Sequence, residues 1–210
     1  AQWIDESQLA ALRATGEVPT RGTVVRVMTP SDVSGFVHRT ELVYLPPAWF
    51  ASNPPPPLPA VIVLGGEFGH PDDWLVSTSA LQSLDNFAAL HHGNAPVFVF
   101  PDIAGRFNND TECVDGTRGN AAMHLTKEVV PYTISRFGVS PKQDGWGAAR
   151  LVVGWCLRAA HRGPQSRHVP RVRLARRHSR PERGNPGADR RTAFSAVTKT
   201  PGRRSTPPRR

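Results

Sequence analysis

The sequence predicts an α/β fold: a doubly wound, mostly parallel sheet with an antiparallel N-terminal edge, followed by a basic tail that forms no element. Three observations predict it. Short continuous apolar runs at residues 60–64, 96–100 and 151–153 have the length and character of strands covered on both faces. Two longer stretches between them, 79–90 and 120–137, carry apolar residues at helical spacing and end at glycine or polar stops. The charge then divides sharply. Residues 157–210 hold 15 Arg and one Lys against Glu182 and Asp189, a net +14, while residues 1–156 hold 10 basic and 15 acidic residues, a net −5.

Taken in order, residues 5–15 read as a short helix, with Asp5 or Ser7 as N-cap, Leu9, Ala10 and Leu12 inside and Gly16 as the stop. Residues 22–28 and 36–45 are rich in Val, Thr and Tyr and read as an antiparallel pair turning at 29–35. Pro46 and Pro47 close the second strand. The proline run at 53–57 reads as an exposed loop or stiff spacer rather than a recognition ligand. After the strand at 60–64, Gly65 and Gly66 form a turn. The helix at 79–90 places Leu81, Leu84, Phe87 and Leu90 at three-residue steps and ends at His91-His92-Gly93. A polar loop at 101–119 follows the next strand. The helix at 120–137 offers Met123, Leu125, Val129 and Ile134 for its inner face, with Pro131 expected to kink it or reset its start, and Gly138 at its end. Strand, helix, strand, helix, strand is the order of a doubly wound sheet, whose sites form at the carboxyl ends of the strands. That points to residues 65–74, residues 101–119 and the chain from Gly154 onward.

Residues 1–156 are long enough for one domain with a core. Division into an N-terminal helical segment (1–20), an α/β domain (21–156) and a tail (157–210) follows. The tail has Phe194 as its only aromatic residue, so too little apolar surface is available to offset ordering, and disorder is expected. Cys113 and Cys156 permit at most one intramolecular disulfide and match neither a disulfide scaffold nor a zinc pattern. No run reaches the ~18 apolar residues of a membrane span, and the start lacks a signal-peptide pattern. A first residue of Ala is compatible with a processed or excised segment.

Gly154-Trp155-Cys156-Leu157-Arg158 follows the third apolar run. It partly matches the G-x-S-x-G turn in which a nucleophile sits on a strained strand-to-helix elbow, with Cys at the nucleophile position and Arg where the last glycine belongs. Alone, it is a weak match, better described as a buried structural cysteine after a strand. The oxyanion hole of such an elbow uses the N–H after the nucleophile and one from the loop after an earlier strand, and Leu64-Gly65-Gly66-Glu67-Phe68 has that position. An ordinary glycine turn is the alternative there; the spacing and order of the two sites favour function.

Residues 41–47, 61–74 and 101–113, with 119–139 leading to the elbow strand, resemble the esterase family of α/β-hydrolases that includes esterase D and the antigen 85 mycolyltransferases, closest to its actinobacterial esterase-like branch. The resemblance implies an α/β-hydrolase fold, hydrolysis or acyl transfer on a small-molecule or lipid ester, a secreted or cell-envelope location, and no metal or organic cofactor. It puts Cys156 at the place of the family's serine nucleophile, and the backbone N–H groups of Glu67 and Leu157 in the oxyanion hole. Arg158 and Ala159 replace the family's further glycines. The acid and histidine of the triad follow the nucleophile in the family, on strands this chain does not have. His161, His168 and His178 read as incidental, and His91, His92 and His124 precede the elbow. His70 either lines the pocket mouth or is a solvated loop histidine. Asp102, Asp110, Glu112 and Asp115 read as turn caps in preference to a paired carboxylate site. Asn109-Asp110-Thr111 matches a glycosylation sequon by pattern only.

The tail admits two readings. As an Arg-rich arm it would bind nucleic acid or another polyanion nonspecifically, although it lacks interleaved aromatics and RGG repeats. The favoured reading is the hydrolase's own coding DNA in a shifted frame beginning between Gly147 and Cys156, since out-of-frame GC-rich DNA encodes Arg, Pro, Ala and Gly. The expectation is thus the N-terminal part of an ester hydrolase or acyltransferase, weakly active or inactive as this chain, with an uncovered sheet edge that favours aggregation.

Overall fold

The structure is a computed structural model that describes residues 1–66 and 69–150. The expected third apolar run at 151–153, the elbow and the tail lie outside the described residues. A six-stranded mixed sheet, with helices on both faces, forms a partial α/β-hydrolase fold.

A strand that the sequence does not announce opens the chain. β1 (Gln2–Asp5) pairs in parallel with β2 (Thr23–Val27), Gln2 opposite Thr23. Its four residues carry no alternation, and only the partner strand defines it. α1 (Glu6–Ala14) starts where expected: Asp5 is its N-cap, and the Asp5 N–H donates to Gln8 Oε1 at 2.8 Å. Only Leu9 of its predicted inner face is buried, and Ala10 is exposed.

β3 (Glu41–Leu45) runs antiparallel to β2, with Thr23 opposite Leu45 and Val27 opposite Glu41. The strand expected from residue 36 begins five residues later, because 36–40 spend their polar groups on neighbouring loops instead of on a ladder. A 3₁₀ turn (Pro47–Phe50) follows, opened by proline and anchored by buried Trp49, whose Nε1 donates to the Phe137 carbonyl at 2.7 Å. β4 (Ala60–Leu64) and β5 (Val97–Phe100) pair in parallel as the apolar runs predict. Between them lie a short helix not foreseen, α2 (Asp73–Val76), and α3 (Ala80–Leu90). In α3 the packed line is Leu81, Leu84 and Ala88, which follows the 3.6-residue period, so Leu90 is left 79% exposed.

After β5, the 101–119 loop closes in a two-residue hairpin, β6 (Asp115–Gly116) with β7 (Gly119–Asn120). The helix expected over 120–137 forms in three pieces: α4 (Ala121–Met123), a π-helical stretch (His124–Val129) and α5 (Val130–Phe137). Pro131 falls where the π-helical stretch gives way to α5, so the expected reset occurs within a continuous helix, and Gly138 ends it at φ 64°. The last described strand, β8 (Trp146–Arg150), pairs in parallel with β4 from Ala60 opposite Trp146 to Leu64 opposite Arg150. Gly147, Ala148 and Ala149 give it no apolar signature.

The strand order is β1-β2-β3-β5-β4-β8. One face buries Leu9, Val25, Val43, Val97, Val99 and Phe137; the other buries Val24, Leu42, Tyr44, Val63 and Phe100 under Leu75, Leu81 and Leu84. Each such side chain contributes roughly 1.5–3 kcal/mol relative to exposure.

Candidate functional site

The register brings five strand ends to one rim. β5 runs antiparallel to β3 with Phe100 opposite Leu42, and β4 runs beside β8 with Leu64 opposite Arg150. The carboxyl ends of β2, β4, β5 and β8 therefore meet the start of β3, at the end of the sheet where α/β folds place their sites. Gly65-Gly66 leaves β4 immediately beside Arg150, the last described residue of β8. Glu67, Cys156 and Leu157 lie outside the described residues. The loop after β4 turns back on itself, with Gly69 N–H donating to Gly66 O at 3.2 Å, and Trp74 Nε1 donating to Leu64 O at 3.3 Å.

Arg39 ties this loop to the next. Its Nε and Nη2 donate to Asp102 Oδ2 and Oδ1, both at 2.8 Å, its backbone N–H donates to Oδ2 at 2.7 Å, and Nη2 also donates to Gly69 O at 3.0 Å. Asp102 Oδ1 further accepts the N–H groups of Ala104 and Gly105, each at 3.1 Å. Burial pushes the Asp102 carboxyl up, but the hydrogen bonds from Arg39 and Gly105 outweigh it and hold it at about 2. The same pairing raises Arg39. Two loops that carry the rim, after β4 and after β5, are thus clamped by one bidentate pair reaching from the segment before β3.

A second buried network lies behind the clamp. Glu41 accepts from Thr29 Oγ1 at 2.5 Å and from Asp102 N–H at 2.8 Å. His124 stands between two carboxylates, with Nε2 3.2 Å from Glu41 Oε1 and Nδ1 2.7 Å from Glu128 Oε2. Glu128 also accepts the N–H groups of Val33 and Ser34 at 2.8 and 3.0 Å and the Ser34 hydroxyl at 2.6 Å. Burial pulls His124 down, yet its bonds to Glu41 and Glu128 raise it overall; burial pushes Glu128 up, yet the Ser34 bonds bring it to about 2. His38 stacks on His124 with ring centres 4.5 Å apart, its ring nitrogens 2.9 Å from Arg39 O and 2.7 Å from Thr29 O. Phe36 packs on the same ring at 5.4 Å. A side chain at Gly119, φ 123°, would start 2.7 Å from the Phe36 ring, so this contact requires glycine there.

The loop carboxylates behave largely as turn caps. Asp110 accepts Glu112 N–H at 3.0 Å, and Asp115 accepts Met123 N–H at 2.9 Å. Asp102 caps its turn as well, but it is also the buried partner of Arg39, which sequence did not indicate. Asn109 is buried and its amide donates to Ala104 O at 2.6 Å and Arg118 O at 3.0 Å, so the sequon asparagine is consumed in holding the loop. His70 is exposed at the edge of a groove of about 510 Å³ that Trp3, Arg26, Arg39 and Asp72 also line. His91 and His92 are exposed at the end of α3. His38 and the inward role of His124 are the residues sequence reasoning missed; the one local signal was Glu128 four residues after His124.

No protein-family profile matches the chain. An uncharacterized protein of Corynebacterium glutamicum is 32% identical to it over 154 residues, covering 73% of this chain and 34% of that protein. The chain thus spans about a third of the length of this curated relative. Among solved structures, a ferulic acid esterase superposes with a TM-score of 0.53 at 19% identity, covering 66% of this chain and 51% of the esterase. A ferulic acid esterase of Anaeromyces mucronatus gives 0.46 at 17% identity, covering 62% and 49%. The first of these likenesses establishes the shared fold.

Proposed function

We propose that the chain carries the N-terminal part of a carboxylic-ester hydrolase or acyltransferase. The supporting observation is the side-by-side, in-register pairing of β4 with β8, which starts the Gly65-Gly66 loop and the chain leading to residue 156 from adjacent strand ends. In an α/β-hydrolase, those two places supply the oxyanion hole and the nucleophile. In this reading Cys156 holds the nucleophile's place, and attack on an ester carbonyl requires it as the reduced thiolate. The N–H groups of Glu67 and Leu157 receive the developing oxyanion, and the Arg39–Asp102 clamp keeps the loop before Gly69 in register. In the family, general-base help comes from a histidine downstream of the nucleophile, and the resemblance assigns that role to none of His161, His168 and His178. A thiol without such a base lacks activation, so turnover by this chain is expected to be weak or absent.

Hydrolysis of short p-nitrophenyl esters, followed by mass spectrometry of the protein, tests the reading. The expected result is slow turnover at most, with any acyl adduct on Cys156 and none in Cys156→Ala. Rapid hydrolysis that survives Cys156→Ala contradicts the assignment. The coding DNA bears on the tail: a hydrolase-like continuation is expected in a shifted frame downstream of Trp155, and early stops or unrelated sequence there would remove the frameshift reading.

A further inference from the structure

We propose that His38, Glu41 and His124 form a binding site for one divalent transition-metal ion of the zinc class. This site is independent of the ester-hydrolase reading. One ligand atom from each of the three residues lies within 4.8 Å of the others, and two imidazoles with one carboxylate are a donor set that zinc accepts. Glu41 Oε1 and His124 Nε2 are 3.2 Å apart, close to the roughly 3.4 Å between ligands around a tetrahedral ion with bonds of about 2.1 Å. His38 closes the remaining gap by a shift of about 1 Å to bring a bond to that length.

The surroundings of the three residues are those of a metal site. In such sites the ring nitrogen away from the ion donates to a carboxylate or carbonyl, which fixes the ring's orientation. His124 Nδ1 has Glu128 Oε2 at 2.7 Å, and His38 Nδ1 has Arg39 O at 2.9 Å. The second oxygen of Glu41 is held by Thr29 Oγ1. Each ring meets oxygen on both nitrogens, although an uncharged imidazole has only one N–H to give, so the second nitrogen carries either a proton or a cation; at His38 the cation takes the place of the Nε2 contact to the Thr29 carbonyl. Glu41 and Glu128 are both buried, and among the described residues neither is ion-paired with lysine or arginine. A divalent ion on Glu41 and His124 Nε2 balances Glu41 directly and Glu128 through the imidazole. His38 is half-buried while the other two ligands are enclosed, so entry runs past its ring. Bound there, the ion joins the 28–40 loop and the adjoining start of β3 to the π-helical stretch, whose His124 lies 83 residues beyond Glu41.

The test is titration of the chelator-treated full chain with Co²⁺ and then Zn²⁺ in mildly alkaline buffer, in a background with His91→Ala and His92→Ala to remove exposed competitors. One equivalent of Co²⁺ is expected, with the intense visible absorption of a tetrahedral site, displaced by Zn²⁺, together with a Zn²⁺-dependent rise in Tm. Glu41→Gln and His38→Ala should each weaken uptake at least tenfold while His70→Ala leaves it unchanged. His38→Ala, at the half-buried edge, serves if Glu41→Gln fails to fold by circular dichroism. Absence of saturable uptake by the folded chain, or uptake that persists in His38→Ala and Glu41→Gln, overturns the site; persistence would assign the metal to other histidines, and absence would mean that protons alone bridge the network.

Discussion

The two faces of the sheet and its carboxyl rim are held together by different physics. The faces close with aliphatic and aromatic side chains such as Leu9, Val43, Val99, Trp49 and Phe137. The rim closes with buried charge: the Arg39–Asp102 pair and the Glu41–His124–Glu128 chain. Apolar packing is non-directional and tolerates small shifts, whereas each buried carboxylate fixes particular N–H groups at particular positions. The rim is the part of the molecule that must hold loops in place, and it is where the charges are.

The largest expected loss tests the apolar side of this contrast. Trp49→Ala removes a buried indole, its edge contacts with Phe50 and Phe137 and its bond to Phe137 O, and should cost about 4 kcal/mol by urea unfolding. Glu128→Ala strands the N–H groups of Val33 and Ser34 and leaves His124 with Glu41 as its one carboxylate partner, and should cost about 3 kcal/mol, with Glu128→Gln recovering part of it. If Glu128→Ala costs under about 1 kcal/mol, the range of an exposed ion pair, the rim is not charge-held. Next comes acid. Asp102 is held at about 2, below its ordinary value, so its contribution is complete above the unfolded pKa near 4 and is lost as pH falls toward 2; about 2 kcal/mol should vanish over that window in wild type. Asp102→Asn should flatten that limb. The smallest effect belongs to the surface: Arg136→Ala breaks its pair with the partly exposed Glu6 and should change stability by less than about 1 kcal/mol, a difference that high salt erases.

The same contrast explains what could be read from sequence. Ala60–Leu64 and Val97–Phe100 announce themselves as apolar runs because the faces they fill are apolar on both sides. α1 and α5 are legible through Asp5, Pro131 and Gly138, which act within one turn of their own position. β8 escapes because Gly147, Ala148 and Ala149 are small and only β4 makes them a strand; the apolar run expected as a strand at 151–153 lies outside the described residues. The rim network escapes for a stronger reason. Glu41 meets His124 across 83 residues, and Ser34 meets Glu128 across 94, so no local period encodes either contact. The π-helical stretch that turns His124 and Glu128 inward likewise has no signature in a helical apolar pattern.

The reading of the whole chain depends on β4 lying directly beside β8. Cross-strand nuclear Overhauser effects in the isotope-labelled chain measure this without reference to activity. Contacts linking Val61 with Gly147 and Ile62 with Ala148, in the spacing of a parallel ladder, are the expected result. A spectrum in which β4 shows cross-strand contacts only to β5, and residues 146–150 show none to β4, would contradict the account.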